Sequence, residues 1–370
     1  PPREGIGRHV IELAKRLPSL GITPLVIGKG HGLCAWQRLE VEGVPTALYP
    51  YVPIRPFHQE AIRAVLQRWL DQGADGADLL HLHLPLLPRL RTCLPRLVTF
   101  HSPLLADVAA IAEPGVKSAM IKANARVLGQ AYEHSQIKAA AAIIAVSGNV
   151  RDELVRQYKL GGHLPVVVPN GVDTEAFAPP RTARRAAAGG PRTVLYVGRL
   201  GYRKGLFRLL DAAALLADRT DWRLALAGEG PLADRLETRA RRLGIADRVD
   251  FLGFLDRAAL LSALHGAVLL VNPADYESGP LTVLEAMAAG TPVVTTPTGL
   301  VGDLADPAPL VVAEPDAHSL AHAIAGVLDH PSTAASRAGT ARRLVESHFA
   351  WDQVAARTAS LYRSLERQAA

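Results

Sequence analysis

The feature that most constrains this chain is a series of short, nearly continuous apolar segments, each of strand length, that alternate with stretches of helical periodicity. Pro24 to Ile27, Leu79 to Leu82, Leu97 to Phe100, Ala141 to Val146 and Val166 to Val168 are such segments, and helical patterns at Gln59 to Leu70 and Lys117 to Ala140 lie among them. A strand that is apolar at every position, not only at alternate ones, is covered on both faces. That burial belongs to a parallel sheet flanked by helices. The alternation stops at Ala178-Pro179-Pro180 and a Pro, Gly and Arg-rich stretch to Pro191. It restarts with strands predicted at Thr193 to Val197, Arg223 to Ala227, Val249 to Phe251, Val268 to Val271 and Val293 to Thr296. For 370 residues this predicts two α/β domains, 1–178 and 192–350, with a linker at 179–191 and a terminal amphipathic helix within 351–370.

Hydrophobic residues at 49% and charged residues at 21% are the proportions of a folded globular protein. No window holds the 18 or more apolar residues of a membrane-spanning helix, so an integral membrane protein is not expected. Cys34 and Cys93 stand far apart and no signal segment is visible, which disfavours a disulfide scaffold and secretion and fits a cytoplasmic setting. The net charge of +6 is spread over many helices. It does not imply nucleic acid, but it leaves open phosphorylated metabolites or a peripheral contact with an anionic inner membrane face.

The segment Tyr276 to Gly290 carries the most chemistry. Gly279-Pro280 reads as a loop-to-helix junction with Pro in the first turn, so Glu277 falls in the loop and Glu285 about two turns into the helix. Backbone N–H groups near Gly279, Leu281 and Thr282 would form an anion site at the positive end of that helix. Glu277 could accept hydrogen bonds from sugar hydroxyls, and Glu285 from a ribose diol; a capped helix with two solvated acids is the plainer reading. A second segment, Val194 to Gly205, has the order strand, glycine turn, basic pair, helix, with Gly198, Arg199 and Lys204 as phosphate ligands. Surface cations at a helix start would read the same way. Lys204 is, however, the sole lysine after Lys159 in a chain with seven lysines and thirty-four arginines.

His81 and His83 share one face of a predicted strand, and His101 ends another. Two imidazoles on one face invite a zinc reading. No His-Glu-x-x-His or Cys-x-x-Cys spacing accompanies them, so no metal is assigned and His81 and His83 are read as structural. His101, at a strand's carboxyl end, is the better functional candidate. An Asp-x-Asp pair is absent, so a bound diphosphate would be neutralised by Arg, Lys and helix N-termini.

Taken in order, Pro-Asn-Gly-Val-Asp at 169–173, Val-Gly-Arg…Lys-Gly at 197–205, Gly-Glu-Gly-Pro at 228–231 and the spaced pair Glu277 and Glu285 resemble a retaining glycosyltransferase of family 4 over nearly the whole chain. The resemblance implies two Rossmann-like domains facing across a cleft, the GT-B arrangement. It also implies metal-independent transfer of a sugar, a hexose above all, from a nucleotide-diphosphate sugar to a hydroxyl acceptor, without a separate cofactor. It would place Arg199 and Lys204 on the diphosphate, Glu285 on the ribose, Glu277 on the donor sugar, and Gly198 and Gly279 to Thr282, Pro280 included, around phosphate and sugar. His101 would reach the transferred sugar from the first domain, and the last helix would cross back to that domain. Members usually begin with an apolar strand ending in Pro-Pro, followed by Gly-Gly; here the sequence opens at Pro1-Pro2 and has Glu4-Gly5. The expectation is therefore an N-terminal domain that lacks its first strand, with Gly5 alone to approach donor phosphate. A nucleotide-sugar epimerase or phosphorylase of the same fold, a non-catalytic nucleotide-sugar binding protein, and a metal hydrolase on His81, His83 and His101 are the rival readings.

Overall fold

The computed structural model describes residues 5–51, 58–84, 87, 89–109, 116–161, 164–179, 190–304, 306 and 308–369. They form two compact units. One holds the described residues up to Asn170 together with those from Trp351 onward, the other Gly171 to Ala350.

In the first unit, β1 (Val26–His31), β2 (Gln37–Val41) and β3 (Val44–Tyr51) form a sheet in the order β1-β3-β2. A four-stranded sheet follows the order of the chain: β4 (Leu80–Leu84), β5 (Arg96–Phe100), β6 (Ala142–Ala145) and β7 (Val166–Val167), all parallel. β5 lies between β4 and β6 and is buried at every position, as the apolar Leu97, Val98 and Phe100 favour. Its one charged residue, Arg96, donates from Nη2 to the Leu90 carbonyl at 2.9 Å. The helix Gly5–Arg16 packs against the terminal helix Trp351–Ala369: Leu13 and Leu17 share a cluster with Leu97, Trp351, Val354, Ala355, Tyr362 and Leu365.

The second unit has one six-stranded parallel sheet, in the order β10-β9-β8-β11-β12-β13. Its strands are β8 (Arg192–Val197), β9 (Trp222–Ala227), β10 (Val249–Gly253), β11 (Leu269–Asn272), β12 (Val293–Thr295) and β13 (Val311–Val312). From β8 the chain winds outward through β9 and β10, then returns to the other side of β8 with β11. That reversal is the topological switch point of an open α/β sheet, and ligands bind outside the carboxyl ends of the strands on either side of it.

Several expectations need correction. Gly5, the glycine expected in an opening loop near donor phosphate, is the exposed first residue of a helix. The segment at 117–140 is not one regular helix but Val116–Asn124 and Gln130–Ala139 joined by a π-helical turn, Ala125–Gly129. A Cβ on Gly129 would lie 2.0 Å from the Leu104 side chain, so the wide turn seats that leucine. β2 was not foreseen, because its side chains are largely exposed and carry no apolar run; it pairs antiparallel with β3 through Glu42 and Gly43, both at positive φ. Residues 171–178, expected in the first domain, pack with the second unit. The Val172 amide donates to the Phe349 carbonyl at 2.8 Å, and Phe177 joins that unit's core. Most of the expected linker, 180–189, and the opening Pro1 to Glu4 lie outside the described residues. Among the described residues β1 pairs only with β3, and β4 only with β5. None of the described helices is long and apolar enough to cross a membrane.

Candidate functional site

At the switch point of the second unit, three loops are stitched together by backbone. After β8, the Gly198 amide donates to the Ala227 carbonyl and the Leu200 amide to the Glu229 carbonyl, both at 2.9 Å; the Leu232 amide returns to the Leu200 carbonyl at 3.1 Å. The loop after β9 is therefore laid directly on the loop after β8. Only glycine permits this at Gly228, where φ is +139° and a Cβ would lie 1.9 Å from the Gly198 carbonyl oxygen. On the other side, the Asp275 amide donates to the Arg203 carbonyl at 2.9 Å, and a Cβ at Gly205 (φ +64°) would meet the Pro273 carbonyl at 1.9 Å. The basic turn after β8 is thus clamped between the loops after β9 and β11.

Within this clamp the half-buried side chains of Lys204 and Glu277 form an ion pair. The Tyr196 hydroxyl donates to the Arg199 carbonyl at 3.0 Å, and burial, reinforced by the Glu277 charge, keeps that phenol firmly protonated. Arg199 itself is exposed. A second ion pair, Arg208 with Asp275, ties the helix that follows Gly205 to the loop after β11. That loop is anchored from beneath: Thr296 Oγ1 donates to the Ala274 carbonyl at 2.6 Å, and Asn272 Nδ2 to Thr295 Oγ1 at 3.2 Å.

The helix Leu281–Ala288 starts from Pro280, which is its N-cap, not a first-turn residue. The Val283 and Leu284 amides both reach the Pro280 carbonyl, so the first-turn donors at this positive end are the amides of Leu281 and Thr282. Glu285 is the fifth residue of the helix, a little over one turn in and not two, and half-buried.

In the first unit the sequence-distant histidines converge. β4 places His81 and His83 on one face with ring centroids 4.1 Å apart. His81 is held at both nitrogens, by the Tyr362 hydroxyl at 2.6 Å and Thr99 Oγ1 at 2.7 Å. His83 Nδ1 faces His101 Nε2 at 3.0 Å. His9, from the helix Gly5–Arg16, hydrogen-bonds Asn170 Oδ1 through Nδ1 at 2.9 Å and sets its ring against Trp351. All four imidazoles are neutral at physiological pH. Burial lowers His9 to about 4, against the raising effect of the Asn170 hydrogen bond, and lowers His81 to about 3 with help from the His9 charge. His83 and His101 are held well below the usual range, first by burial and then by their neighbouring histidines.

The structure thus groups Gly198, Arg199, Lys204, Glu277, Gly279, Pro280, Leu281, Thr282 and Glu285 around one switch point, whereas Gly5 and His101 belong to the other unit. Sequence reasoning missed His9, which lies 161 residues from its partner Asn170. The only local signal was the Pro-Asn-Gly turn that presents Asn170.

Comparison with known proteins agrees with this architecture. Residues 3–176 match the family described as Glycosyltransferase Family 4, and residues 181–344 that described as Glycosyl transferases group 1. The chain is 36% identical over 240 residues to glycogen synthase of Mycobacterium tuberculosis, covering 64% of this chain and 57% of that protein. It is 35% identical over 220 residues, 58% of this chain and 55% of the other, to a GDP-mannose-dependent alpha-(1-6)-phosphatidylinositol dimannoside mannosyltransferase of the same species. These matches thus span little more than half of each relative. A D-inositol 3-phosphate glycosyltransferase of Streptomyces avermitilis matches at 30% over 97% of this chain and 82% of its own length. Among solved structures, sucrose-phosphate synthase from Thermosynechococcus elongatus shares the fold at a TM-score of 0.81 and 24% identity, covering 99% of this chain and 94% of that one.

Proposed function

The chain belongs to glycosyltransferase family 4, and from that premise we propose that it transfers a hexose from a nucleotide-diphosphate sugar to a hydroxyl acceptor with retention at the anomeric carbon. The observation that carries this reading is the clamp at the switch point: a Lys204–Glu277 ion pair between two loops, beside the positive end of the Leu281–Ala288 helix. Such a wall suits a ligand that is anionic at one end and rich in hydroxyls at the other. Arg199, Lys204 and the Leu281 and Thr282 amides take the diphosphate, each charge-assisted hydrogen bond contributing about 1.5–3 kcal/mol. Glu277 accepts from the sugar and Glu285 from the ribose diol. One relative's name, GDP-mannose-dependent, supports a nucleotide-linked donor.

In the reaction, the bond from the anomeric carbon to the phosphate oxygen breaks and the acceptor oxygen bonds to the same face. The acceptor's proton passes to the departing phosphate oxygen, so a glycoside and a nucleoside diphosphate result. Nothing is oxidised or reduced, and no electron or hydride carrier enters the balance. The cationic side chains and helix amides stabilise the charge that develops on the leaving diphosphate. His101, neutral and oriented by His83, serves the transferred sugar as a hydrogen-bonding group.

The test is nucleoside-diphosphate release from a panel of nucleotide sugars, with and without a panel of hydroxyl acceptors. Acceptor-dependent release with an α-configured product from an α-configured donor supports the reading. Binding without turnover would favour a nucleotide-sugar binding protein, and conversion of the donor sugar without release would favour an epimerase. His101→Ala should cut turnover to below about a tenth while nucleotide binding persists, a loss on the scale of general acid–base and positioning contributions.

A further inference from the structure

We propose that His9, His83 and His101 form a three-imidazole site for one divalent ion of the zinc class. One nitrogen from each lies within 4.8 Å of the other two. The rings stand at the corners of a nearly regular triangle, with centroids 4.7 Å (His9–His101), 5.3 Å (His83–His101) and 5.4 Å (His9–His83) apart. Three imidazoles on a tetrahedral zinc, with Zn–N of about 2.0–2.1 Å, put their ring centroids about 5 Å apart and their ligating nitrogens about 3.3 Å apart. The His83 Nδ1 to His101 Nε2 separation of 3.0 Å is already close to that second value.

The surroundings settle which histidines serve. Asn170 Oδ1 can only accept, so His9 Nδ1 carries the proton and Nε2 keeps its lone pair. A metal-bound imidazole normally has its other nitrogen fixed in this way. His81 is committed at both nitrogens and stays outside the ligand set. The proton shared between His83 and His101 moves to the far nitrogen of its ring when the ion enters, so binding requires a change of tautomer and no net proton loss. Three imidazoles and one open position select zinc, cobalt, nickel or copper over magnesium and calcium, which demand oxygen ligands. Because the ion occupies a nitrogen of His101, it should also inhibit transfer; that consequence alone rests on the catalytic reading of His101.

The test is a zinc titration of the chelator-stripped chain against a chromophoric zinc indicator, repeated with cobalt(II). The expected result is one equivalent bound, unaffected by millimolar magnesium, with the intense visible bands of tetrahedral cobalt. His9→Asn and His83→Asn should each weaken binding at least tenfold, with circular dichroism confirming the fold, while exposed His322→Ala leaves it unchanged. Asn170→Ala keeps all three imidazoles and should weaken binding about 10–100-fold, the effect of removing an orienting partner. Wild-type chain that binds no tighter than its exposed histidines allow, a pale octahedral cobalt spectrum, or a folded His83→Asn chain that binds like wild type overturns the site. Tight binding without inhibition of transfer overturns only the role given to His101.

Discussion

Lys204 and Glu277 are 73 residues apart and meet in an ion pair that joins the loop after β8 to the loop after β11. β8 and β11 are adjacent strands, and the pair closes the gap between their carboxyl ends. Both side chains are half-buried, so neither is a solvated surface charge of the sort that contributes little. A ligand phosphate that approached Lys204 would compete with Glu277 for the same ammonium. On the proposed function the pair is a preset contact that the donor would rearrange, its lysine turning to phosphate and its carboxylate to hydroxyls.

Removing either cation should weaken the nucleotide, by unequal amounts. Arg199→Ala deletes one exposed guanidinium, and nucleoside-diphosphate affinity should fall by about 1.5–3 kcal/mol, roughly ten- to a hundredfold. Lys204→Ala should cost at least as much, because it also leaves Glu277 without its cation and facing the incoming diphosphate. Isothermal titration with the nucleoside diphosphate measures both. Unchanged affinity in the two variants would take the loop after β8 out of the donor site.

The two glutamates should divide binding from turnover. Glu277→Gln, next to the proposed sugar position, should lower kcat more than it changes nucleoside-diphosphate affinity. Glu285→Gln, on the helix, should chiefly weaken the nucleotide, by about 1–2 kcal/mol for one lost hydrogen bond. Steady-state kinetics set beside direct nucleotide binding separates these effects. Equal losses of affinity with normal kcat in both variants contradict the assignment.

Gly228 offers a test of the clamp without touching a charged group. A Cβ there would lie 1.9 Å from the Gly198 carbonyl oxygen, so the loops after β8 and β9 must part to admit Gly228→Ala. The cost should be about 1–3 kcal/mol in stability from overpacking, and nucleotide affinity should fall with it as Arg199 and Lys204 lose their support. Gly244→Ala is the control: it too is at positive φ, but nothing lies within 4 Å of its Cβ position. A Gly228→Ala chain no less stable than the Gly244→Ala chain would show that the loop contact is unimportant.

Much of the second unit was legible because its determinants are local. Segments such as Leu269 to Val271 are apolar at every position because they are buried at every position, and the glycine turn, basic pair and Gly-Pro junction each sit within a few residues of the strand they follow. What sequence could not give was pairing: nothing near Lys204 announces Glu277, and nothing near His9 announces Asn170 or His83. β2 escaped for the opposite reason, since an exposed strand has no apolar run to read. The placement of residues 171–178 escaped because it depends on contacts with distant residues, among them the Val172 amide on the Phe349 carbonyl and the packing of Phe177 in the second unit's core, which only the folded chain creates.

The first unit should lose stability in mild acid. Burial lowers His9 from 6.5 to about 4, so below pH 6.5 the unfolded chain binds a proton that the folded chain refuses. The folded pKa lies below the unfolded one; the contribution is therefore complete above about pH 6.5 and lost as the pH falls towards 4. A gap of that size amounts to roughly 3 kcal/mol, a large share of a typical domain's net stability of about 5–15 kcal/mol. His81, lowered to about 3, acts in the same direction. Because His9 stacks edge-on against buried Trp351, with ring centroids 5.1 Å apart, the tryptophan reports on this unit. Urea melts followed by Trp fluorescence at pH 7.5, 6.0 and 4.5 should show a falling midpoint, with a shallower fall in His9→Asn. A midpoint independent of pH over that range, or an equal slope in the variant, would mean that His9 takes up its proton without unfolding the unit.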